Sequence, residues 1–525
     1  MDPQIPQTYK EALARPDSDK WIQAMQDEYQ SLVQNDTWTE LIPPKGIHVL
    51  RGKWVYALKR DENGQITRYR ARWVAKGFEQ EYGVNYEQTF ASVAKSMAIR
   101  ILFALAAHED MEIDQMDAVT AFLQSNIQST DVVWVEMPIG FKKGTLACLL
   151  KKGLYGLKQS ARLWARDVRA ELTKLNYHPL HSDECIYFHQ DLRIYVATHV
   201  DDFLLIGPSS IELSNLKSQL STKFKMKDLG PCKLFLGVQI VRDQANRRIH
   251  LNQAAYIDKV LQTFGMQNAA GKSTPMEPNA LKTLVKNTGQ ATSEDIRLYQ
   301  SIIGSLMYAM TQTRPDLAFP VSLLSRFATN PSAAHMGAAK RVLRYLKHTR
   351  DLGITYNGHT EHGAFQGYSD ADWAGDTETR SSTSAYVFFL FGAPITWKSS
   401  RQHTIALSST ESEYYGLTNT AKEAIWLQTL LTELQYHGKE HVPTHIYGDN
   451  QSSLALAENP EYHQRTKHID IKYHFIRQQV EKGTIHLSYV PTAQMVADGM
   501  TKPLLAVKHA LFIQQLGLED WTKTV

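Results

Sequence analysis

Cysteine is scarce in this chain. Only Cys148, Cys185 and Cys232 occur among 525 residues, and they are far apart with no Cys-x-x-Cys pair. This spacing argues against a disulfide framework and against a cysteine-bound zinc ion. A protein with so few cysteines is typical of an intracellular location.

Long hydrophobic runs are missing as well. The apolar runs at residues 99–107 and 385–395 are too short to span a bilayer, so both are expected to be core segments. Residues 1–7 have neither the basic nor the apolar region of a signal peptide. The sequence also lacks internal repeats, low-complexity tracts and a basic nuclear-localisation tract. We therefore expect no membrane partner.

Charge is nearly balanced, with a formal net charge of +3, so any basic character is local. Between residues 45 and 78 there are nine Lys or Arg residues and two acidic residues, with aromatic residues interleaved. This pattern suits contact with a phosphate backbone and stacked bases. It would also suit an ordinary amphipathic hairpin with a solvated charged face.

Two adjacent acids, Asp201 and Asp202, stand between the apolar runs 194–197 and 203–206. Each run has the pattern of a short buried strand, which predicts a β-hairpin with the acids at its tip. Carboxylates this close repel each other unless a cation holds them. Pairs of divalent ions do so in phosphoryl-transfer enzymes. A solvated turn is the alternative, because Asp is common in turns.

Other motifs favour the metal site over the turn. Asp117 stands at the edge of another strand-like segment, and residues 152–164 read KGLYGLKQSARLW. Together with RARWVAKGF at 70–78 and the segments 312–319 and 339–347, these motifs resemble the reverse transcriptases of copia-type retrotransposons. The resemblance runs in the family order from about residue 9 to about residue 504.

The resemblance implies a mixed α/β (α+β) protein: a right-hand polymerase of fingers, palm and thumb/connection, followed by an RNase H-like α/β domain. Asp117, Asp201 and Asp202 would bind two Mg²⁺ ions, or Mn²⁺, with Asp117 and Asp201 carrying most weight. The enzyme would use an RNA template, a DNA primer and dNTPs to make cDNA.

The resemblance also implies residues that bind the incoming nucleotide: Lys59, Arg70, Arg72, Lys76, Phe122, Gly156 and Gln159. The four cations are unranked candidates for the triphosphate. Phe122 would block a ribose 2′-hydroxyl, although a core Phe is equally expected there. Gly156 would allow close approach to the nucleotide, or would serve only a helix-start turn.

Three residues are expected at the primer: His199, Leu236 and Gly237. His199 stands where the family usually has Tyr. An imidazole has a smaller face for stacking, so we predict reduced activity or fidelity rather than loss of function.

Four later acids, Asp370, Glu413, Asp449 and Asp498, resemble the motifs of a retroelement RNase H. They would hold two further Mg²⁺ ions to cut the RNA of an RNA–DNA hybrid. The glutamate is open between Glu411 and Glu413. We choose Glu413, which leaves Glu411 as a solvated first-turn acid that stabilises the helix dipole. Each acid taken alone could be a helix cap or a surface charge.

A weaker alternative is a separate metal site made of His468, Asp470 and His474.

The predicted organisation has five parts: residues 1–44, an N-terminal helical lead-in; 45–265, fingers and palm; 266–358, a linker and helical thumb/connection; 359–505, the RNase H-like domain; and 506–525, a C-terminal tail. Trp21, Met25 and Tyr29 recur at helical spacing and predict an amphipathic helix. Asn63-Gly64 predicts a hairpin turn, and Ser96 is expected to cap a helix.

The sequence has no segment like a gag zinc knuckle, a protease or an integrase. We therefore expect a released polyprotein fragment, which could act with other parts of a retrotransposon polyprotein, or a remnant gene product. The expected location is a cytoplasmic virus-like particle, with nuclear access left open. Two rival functions stay open: a decayed inactive copy, and a non-enzymatic nucleic-acid-binding protein.

Overall fold

The computed structural model describes residues 5–60, 65–83, 85–86, 89, 91–128, 131–359, 365–376, 378–436, 442–458 and 470–523. Its helices are α1 (Tyr9–Ala14), α2 (Ser18–Gln34), α3 (Ser96–His108), α4 (Ser160–Lys174), α5 (Ser210–Lys223), α6 (Ala254–Thr263), α7 (Ala280–Thr283), α8 (Ser293–Gln312), α9 (Ala318–Ser325), α10 (Ala333–His348), α11 (Ser409–Glu433), α12 (Gln451–Glu458), α13 (Asp470–Glu481) and α14 (Ala506–Gln515).

The first eleven strands are β1 (Trp38–Leu41), β2 (Val49–Leu50), β3 (Gly52–Arg60), β4 (Ile66–Ala75), β5 (Glu112–Ala118), β6 (Trp134–Glu136), β7 (Ala147–Leu150), β8 (His178–Pro179), β9 (Ile186–His189), β10 (Ile194–His199) and β11 (Asp202–Gly207). The later strands are β12 (Met226–Pro231), β13 (Leu234–Phe235), β14 (Val238–Asp243), β15 (Arg248–Asn252), β16 (Leu352–Asn357), β17 (Gln366–Asp372), β18 (Thr383–Leu390), β19 (Ala393–Arg401), β20 (Thr444–Gly448), β21 (Ile485–Tyr489) and β22 (Leu518–Asp520).

The N-terminal part packs α2 against the hairpin β3–β4. The predicted amphipathic helix is confirmed, since α2 buries Trp21, Met25 and Leu32. The two predicted strands pair antiparallel, with Lys59 opposite Arg68, while the Asn63-Gly64 turn lies outside the described residues. The inner face of the hairpin carries Trp73 into the same core as Trp21.

The segment predicted as fingers and palm contains a six-stranded sheet, called the palm sheet below, in the order β12-β5-β11-β10-β9-β8. Its central hairpin, β10–β11, is buried on both faces, which explains its unbroken apolar sequence. Phe203 and Leu205 face a core formed with α4 and α5. Leu204 and Ile206 face the opposite core, formed with α3.

The helix predicted after Ser96 is present as α3, but it begins at Ser96 itself, so Ser96 does not cap it. The N-cap is Lys95, and no side chain caps the helix there. The Ser96 hydroxyl instead accepts a hydrogen bond from the Gln312 side chain at 3.0 Å, so this polar group ties α3 to the end of α8.

The segment predicted as linker and thumb/connection contains α7–α10, which share one hydrophobic core with α6, and β16, which lies in a five-stranded sheet in the order β13-β14-β15-β16-β22. Strand β22 comes from the C-terminal tail and pairs antiparallel with β16. The tail is therefore folded into the connection. Residues 271–295, rich in turn-forming residues, hold only the short helix α7 before α8 begins.

The last sheet has the order β19-β18-β17-β20-β21. Strands β17, β18 and β19 form an antiparallel meander, whereas β20 and β21 run parallel to β17. Helix α11 connects the two parts and packs against β17. This mixed architecture confirms the predicted fold class. No helix among the described residues is long and apolar enough to cross a membrane.

Candidate active sites

The first site forms where β5 and the hairpin β10–β11 meet. Asp202 is the first residue of β11 and lies directly opposite Asp117, the penultimate residue of β5. Asp201 stands in the turn before it, and its carbonyl accepts the backbone N–H of Ala118 at 2.7 Å. The predicted hairpin is thus confirmed, and the register brings the three acids together at one end of the sheet.

These three carboxylates crowd one another. Burial, then the charge of Asp201, raises the pKa of Asp117. Burial, then the charges of Asp201 and Asp117, raises the pKa of Asp202, although Gln115 donates a hydrogen bond to its Oδ1 at 3.3 Å. A divalent cation would offset this repulsion, and a set of carboxylate oxygens fits the hard ion Mg²⁺.

A cavity of about 400 Å³ opens beside the acids. Asp117 and Asp201 line one side of it. The other cavity residues include a basic set, which comprises Arg68, Arg70, Arg72 and Lys227. The three arginines alternate along β4, so they share one face of the strand. A cavity lined by both cations and carboxylates suits a nucleoside triphosphate with its divalent ion.

The other two predicted cations, Lys59 and Lys76, do not line this cavity. The charge of Lys59 acts on Asp117 and lowers its pKa. Lys76 follows the end of β4, where its N–H donates to the carbonyl of Arg51 at 2.8 Å and its charge acts on Glu79. Arg70 and Arg72 are therefore the best placed of the predicted triphosphate ligands.

Phe122 sits near the same wall. Its ring meets Tyr155 edge to face, with 5.5 Å between the ring centres, and the Arg72 guanidinium lies over the same Tyr155 ring at 4.5 Å from its centre. Phe122 is half-buried, so part of its ring remains available to a ligand.

Gly156 has a local reason to be glycine. Its φ is +88°, and a Cβ there would lie 2.2 Å from the carbonyl oxygen of Ala75. The close approach is therefore to strand β4, and a role toward the nucleotide stays a prediction.

Gln159 is 2% exposed and already fully engaged. Its amide nitrogen donates to the carbonyl of Asn85, and its amide oxygen accepts from Gln80, both at 2.9 Å. In this structure Gln159 stands at the N-cap of α4 and links that helix to Gln80 and Asn85, and its contact with a nucleotide stays a prediction.

The predicted primer residues occupy two turns. His199 ends β10 and pairs across the hairpin with Asp202, where its charge lowers the pKa of that carboxyl. Leu236 and Gly237 form the turn between β13 and β14, with φ of 49° and 72°. The hydroxyl of Tyr308 on α8 donates to the Leu236 carbonyl, which ties this turn to α8.

Sequence reasoning missed several residues of this site. Arg68 could have been found, since it alternates with Arg70 and Arg72. Lys227 lies opposite Asp117 only because β12 pairs with β5, a register that no local pattern reveals. Glu28 of α2 also lines the cavity, and burial raises its pKa to about 7.

The second site is centred on β17. Carboxylate oxygens of Asp370, Glu413 and Asp449 lie within 4.8 Å of one another. Asp370 stands on β17, Glu413 on α11, and Asp449 follows β20. The Thr501 hydroxyl donates to Asp370 at 2.6 Å, and the Thr492 hydroxyl donates to Asp449 at 2.8 Å.

Burial dominates the electrostatics of this cluster. It raises the pKa of Asp370 to about 7, against the hydrogen bond from Thr501 and with the charges of Asp498 and Asp449. Burial, then the charge of Asp370, raises the pKa of Glu413 far above its ordinary value. Three carboxylates held together in this way fit a divalent ion. Asp498 instead forms an ion pair with Lys502.

The structure brings Glu413, rather than Glu411, to the cluster. Glu411 is not solvated as expected, but 6% exposed. It accepts the N–H of Leu407 at 2.7 Å, while its own N–H donates to Ser408 at 3.2 Å. Glu411 therefore belongs to the N-terminal cap of α11. His468 and the side chain of Asp470 lie outside the described residues, and so does the alternative metal site.

Comparison with known proteins agrees with this architecture. Residues 35–278 match the family described as reverse transcriptase (RNA-dependent DNA polymerase). The chain is 35% identical over 314 residues to the putative transposon Ty5-1 protein of Saccharomyces cerevisiae, covering 59% of this chain and 100% of that protein. The chain belongs to the copia-type retrotransposon Pol family.

A longer relative matches nearly the whole chain. This copia-type chain is 39% identical over 529 residues to the retrovirus-related Pol polyprotein from transposon TNT 1-94 of Nicotiana tabacum. The match covers 99% of this chain and 39% of that polyprotein, so the chain spans about two fifths of its relative.

A solved viral protein has a similar fold. A foamy viral protease-reverse transcriptase, solved in complex with double-stranded DNA, superposes with a TM-score of 0.53 and 15% sequence identity. The match covers 90% of the copia-type chain and 69% of that structure. At this identity the likeness concerns the fold.

Proposed function

We propose that this copia-type Pol region is an RNA-directed DNA polymerase that also cleaves the RNA of RNA–DNA hybrids. The observation that carries the polymerase proposal is the pairing of Asp117 with Asp202 at the edge of an arginine-lined cavity. Such a site brings carboxylate oxygens that can bind a metal ion into one cavity with cations that can hold a triphosphate.

Each part of the polymerase site has a distinct task. Asp117, Asp201 and Asp202 would hold Mg²⁺, which when bound supplies the positive charge for primer 3′-hydroxyl activation and pyrophosphate departure. Arg70 and Arg72 orient the triphosphate. Phe122 closes the ribose side of the cavity and selects deoxynucleotides.

The template–primer is held outside this cavity. The Leu236-Gly237 turn and His199 would support the primer end, with the turn fixed by Tyr308. The partners are thus an RNA template, a DNA primer and dNTPs.

The test is extension of a DNA primer on an RNA template with Mg²⁺ and dNTPs. Asp201→Asn should abolish extension, because it removes a metal ligand. Asp191→Asn is the matched control: Asp191 is exposed in the turn between β9 and β10, at the far end of the same sheet. Equal extension by both variants would refute the polymerase site.

The RNase H proposal rests on the cluster of Asp370, Glu413 and Asp449. Together with Asp498 they would hold Mg²⁺, which when bound supplies an activated water for hydrolysis. Thr501 and Thr492 orient two of the carboxylates.

Cleavage of labelled RNA in an RNA–DNA hybrid tests this second site. Glu413→Gln should stop cleavage while leaving primer extension intact. Glu481→Gln, at the exposed end of α13, is the control. Hybrid binding without extension or cleavage by the wild type would instead support a binding protein or a decayed copy.

We further propose that the chain acts beside other parts of the retrotransposon polyprotein in cytoplasmic virus-like particles. Its relative from Nicotiana tabacum is a longer Pol polyprotein, which supports this assignment.

A further inference from the structure

The turn that carries Asp201 is strained. It consists of Val200 and Asp201 between the paired residues His199 and Asp202. Val200 has φ of +59°, and of the two turn residues only Val200 lies in the left-handed region. Glycine is the usual residue at this position of such a turn. For a β-branched residue this backbone conformation is costly, so something must hold it in place.

Trp164 of α4 makes the contact that holds the turn. Its indole N–H donates to the carbonyl of Val200 at 2.6 Å. The indole is 2% exposed and packs edge to face against Phe203 at 6.4 Å and Phe224 at 4.9 Å. These rings keep the indole from rotating away from the turn.

The conformation of Val200 determines where Asp201 lies. The Asp201 carbonyl accepts the N–H of Ala118, the residue after Asp117. If the turn relaxed to negative φ at Val200, the peptide group between Val200 and Asp201 would reorient and this link would be lost. The Asp201 carboxylate would then leave its place beside Asp117.

We propose that Trp164 is a positioning residue for polymerase metal binding, because its indole N–H holds the strained Val200 turn and thereby fixes Asp201 relative to Asp117 and Asp202. The inference rests on the polymerase function proposed above. A purely structural role for Trp164, as a core aromatic under the palm sheet, makes a different prediction. In that case the identity of residue 200 should not matter to the effect of changing Trp164.

The test compares Trp164→Phe, Val200→Gly and the double variant in the full chain. Phenylalanine keeps an aromatic ring but removes the N–H. Glycine adopts positive φ without strain and keeps the turn without the tether. Trp397→Phe is the matched control, since the Trp397 indole donates to the Met310 carbonyl at 3.0 Å away from the palm.

Three quantities are measured for each variant. They are the Mg²⁺ concentration giving half-maximal primer extension, the Mn²⁺ binding by paramagnetic resonance that is lost in Asp201→Asn, and the unfolding midpoint. Trp164→Phe should raise the half-saturating metal concentration roughly tenfold, the equilibrium effect of one hydrogen bond holding a turn. In the Val200→Gly background the same change should cost about twofold or less, because the turn is already populated.

An equal loss in both backgrounds would overturn the proposal, as would unchanged metal binding with only a lower unfolding midpoint. Trp397→Phe should leave metal binding unchanged, and an equal effect there would likewise count against it. If the wild type fails to extend primers but its Mn²⁺ binding follows the predicted pattern, the positioning role stands and the polymerase proposal fails.

Discussion

Replacement of Asp370 by Asn tests how much the ionisation of a buried carboxyl at the RNase H-like site lowers the free energy of unfolding. Burial raises the pKa of Asp370 from 3.8 to about 7. When folding raises the pKa of a carboxyl, its protonated form stabilises the folded state, and this contribution is complete below the unfolded-state pKa. The contribution is lost as the pH rises from the unfolded-state pKa to the folded-state pKa. Asn cannot ionise, so the variant escapes this loss.

The size of the effect follows from the same values. One pKa unit corresponds to about 1.4 kcal/mol. Without metal, the unfolding free energy of Asp370→Asn relative to wild type should therefore grow by about 3 kcal/mol between pH 5 and pH 8. The Asn side chain can still accept the Thr501 hydrogen bond, so the two proteins should differ less at pH 5.

Urea unfolding at both pH values, in EDTA and in Mg²⁺, measures the effect. Mg²⁺ should reverse the order at pH 8, because the ion binds the ionised cluster of the wild type and metal binding competes with protons. Asp191→Asn serves as the control for removal of one exposed carboxylate. A stability difference that is the same at pH 5 and pH 8 in EDTA would refute the reasoning.

Three further predictions concern the polymerase site. Phe122→Ala should lower discrimination against ribonucleotides roughly tenfold or more, since the ring closes the ribose side; single-nucleotide incorporation of dNTP against rNTP measures it, and unchanged discrimination would make Phe122 a core residue. Tyr308→Phe should weaken primer binding about fivefold with the dNTP KM unchanged, because the Leu236 turn loses a hydrogen bond of about 1 kcal/mol. Tyr256→Phe is the control, and equal primer affinity of the two variants would contradict this role of the Tyr308 hydroxyl. His199→Tyr should raise extension rate or fidelity, and no change in either would show that imidazole serves as well.

Local patterns predicted the elements of the fold well. The apolar runs around Asp201 and Asp202 gave the hairpin because both strands are buried on two faces and leave no polar alternation. The spacing of Trp21 and Met25 gave α2 for a different reason: the helix buries one face and exposes the other, so its apolar residues recur at helical spacing. Ser96 is not the cap because α3 begins one residue earlier than expected, with Lys95 at the N-cap. Its hydroxyl accepts a hydrogen bond from Gln312, a tertiary contact that no local pattern reports.

Site residues brought in by tertiary contacts were harder to predict. Lys227 reaches Asp117 through strand register, and Tyr308 reaches the Leu236 turn from a helix more than 70 positions away. Glu411 and Glu413 are two residues apart on one helix, and only the packing of α11 on β17 separates a capping role from a cluster role. Sequence motifs were enough to suggest the family, but tertiary packing determines which carboxylates come together in the structure.

The two carboxylate sites solve the same electrostatic problem in different ways. At the palm, Asp117, Asp201 and Asp202 are all half-buried, and the position of Asp201 depends on a turn held under strain. At β17, Asp370 is 5% exposed and lies in a sheet, so packing fixes its position. Burial there disfavours the ionised carboxylate and raises the pKa of Asp370. A metal ion should therefore stabilise the β17 site against unfolding far more than the palm. Changes in turn geometry, by contrast, should alter metal affinity at the palm far more than at β17.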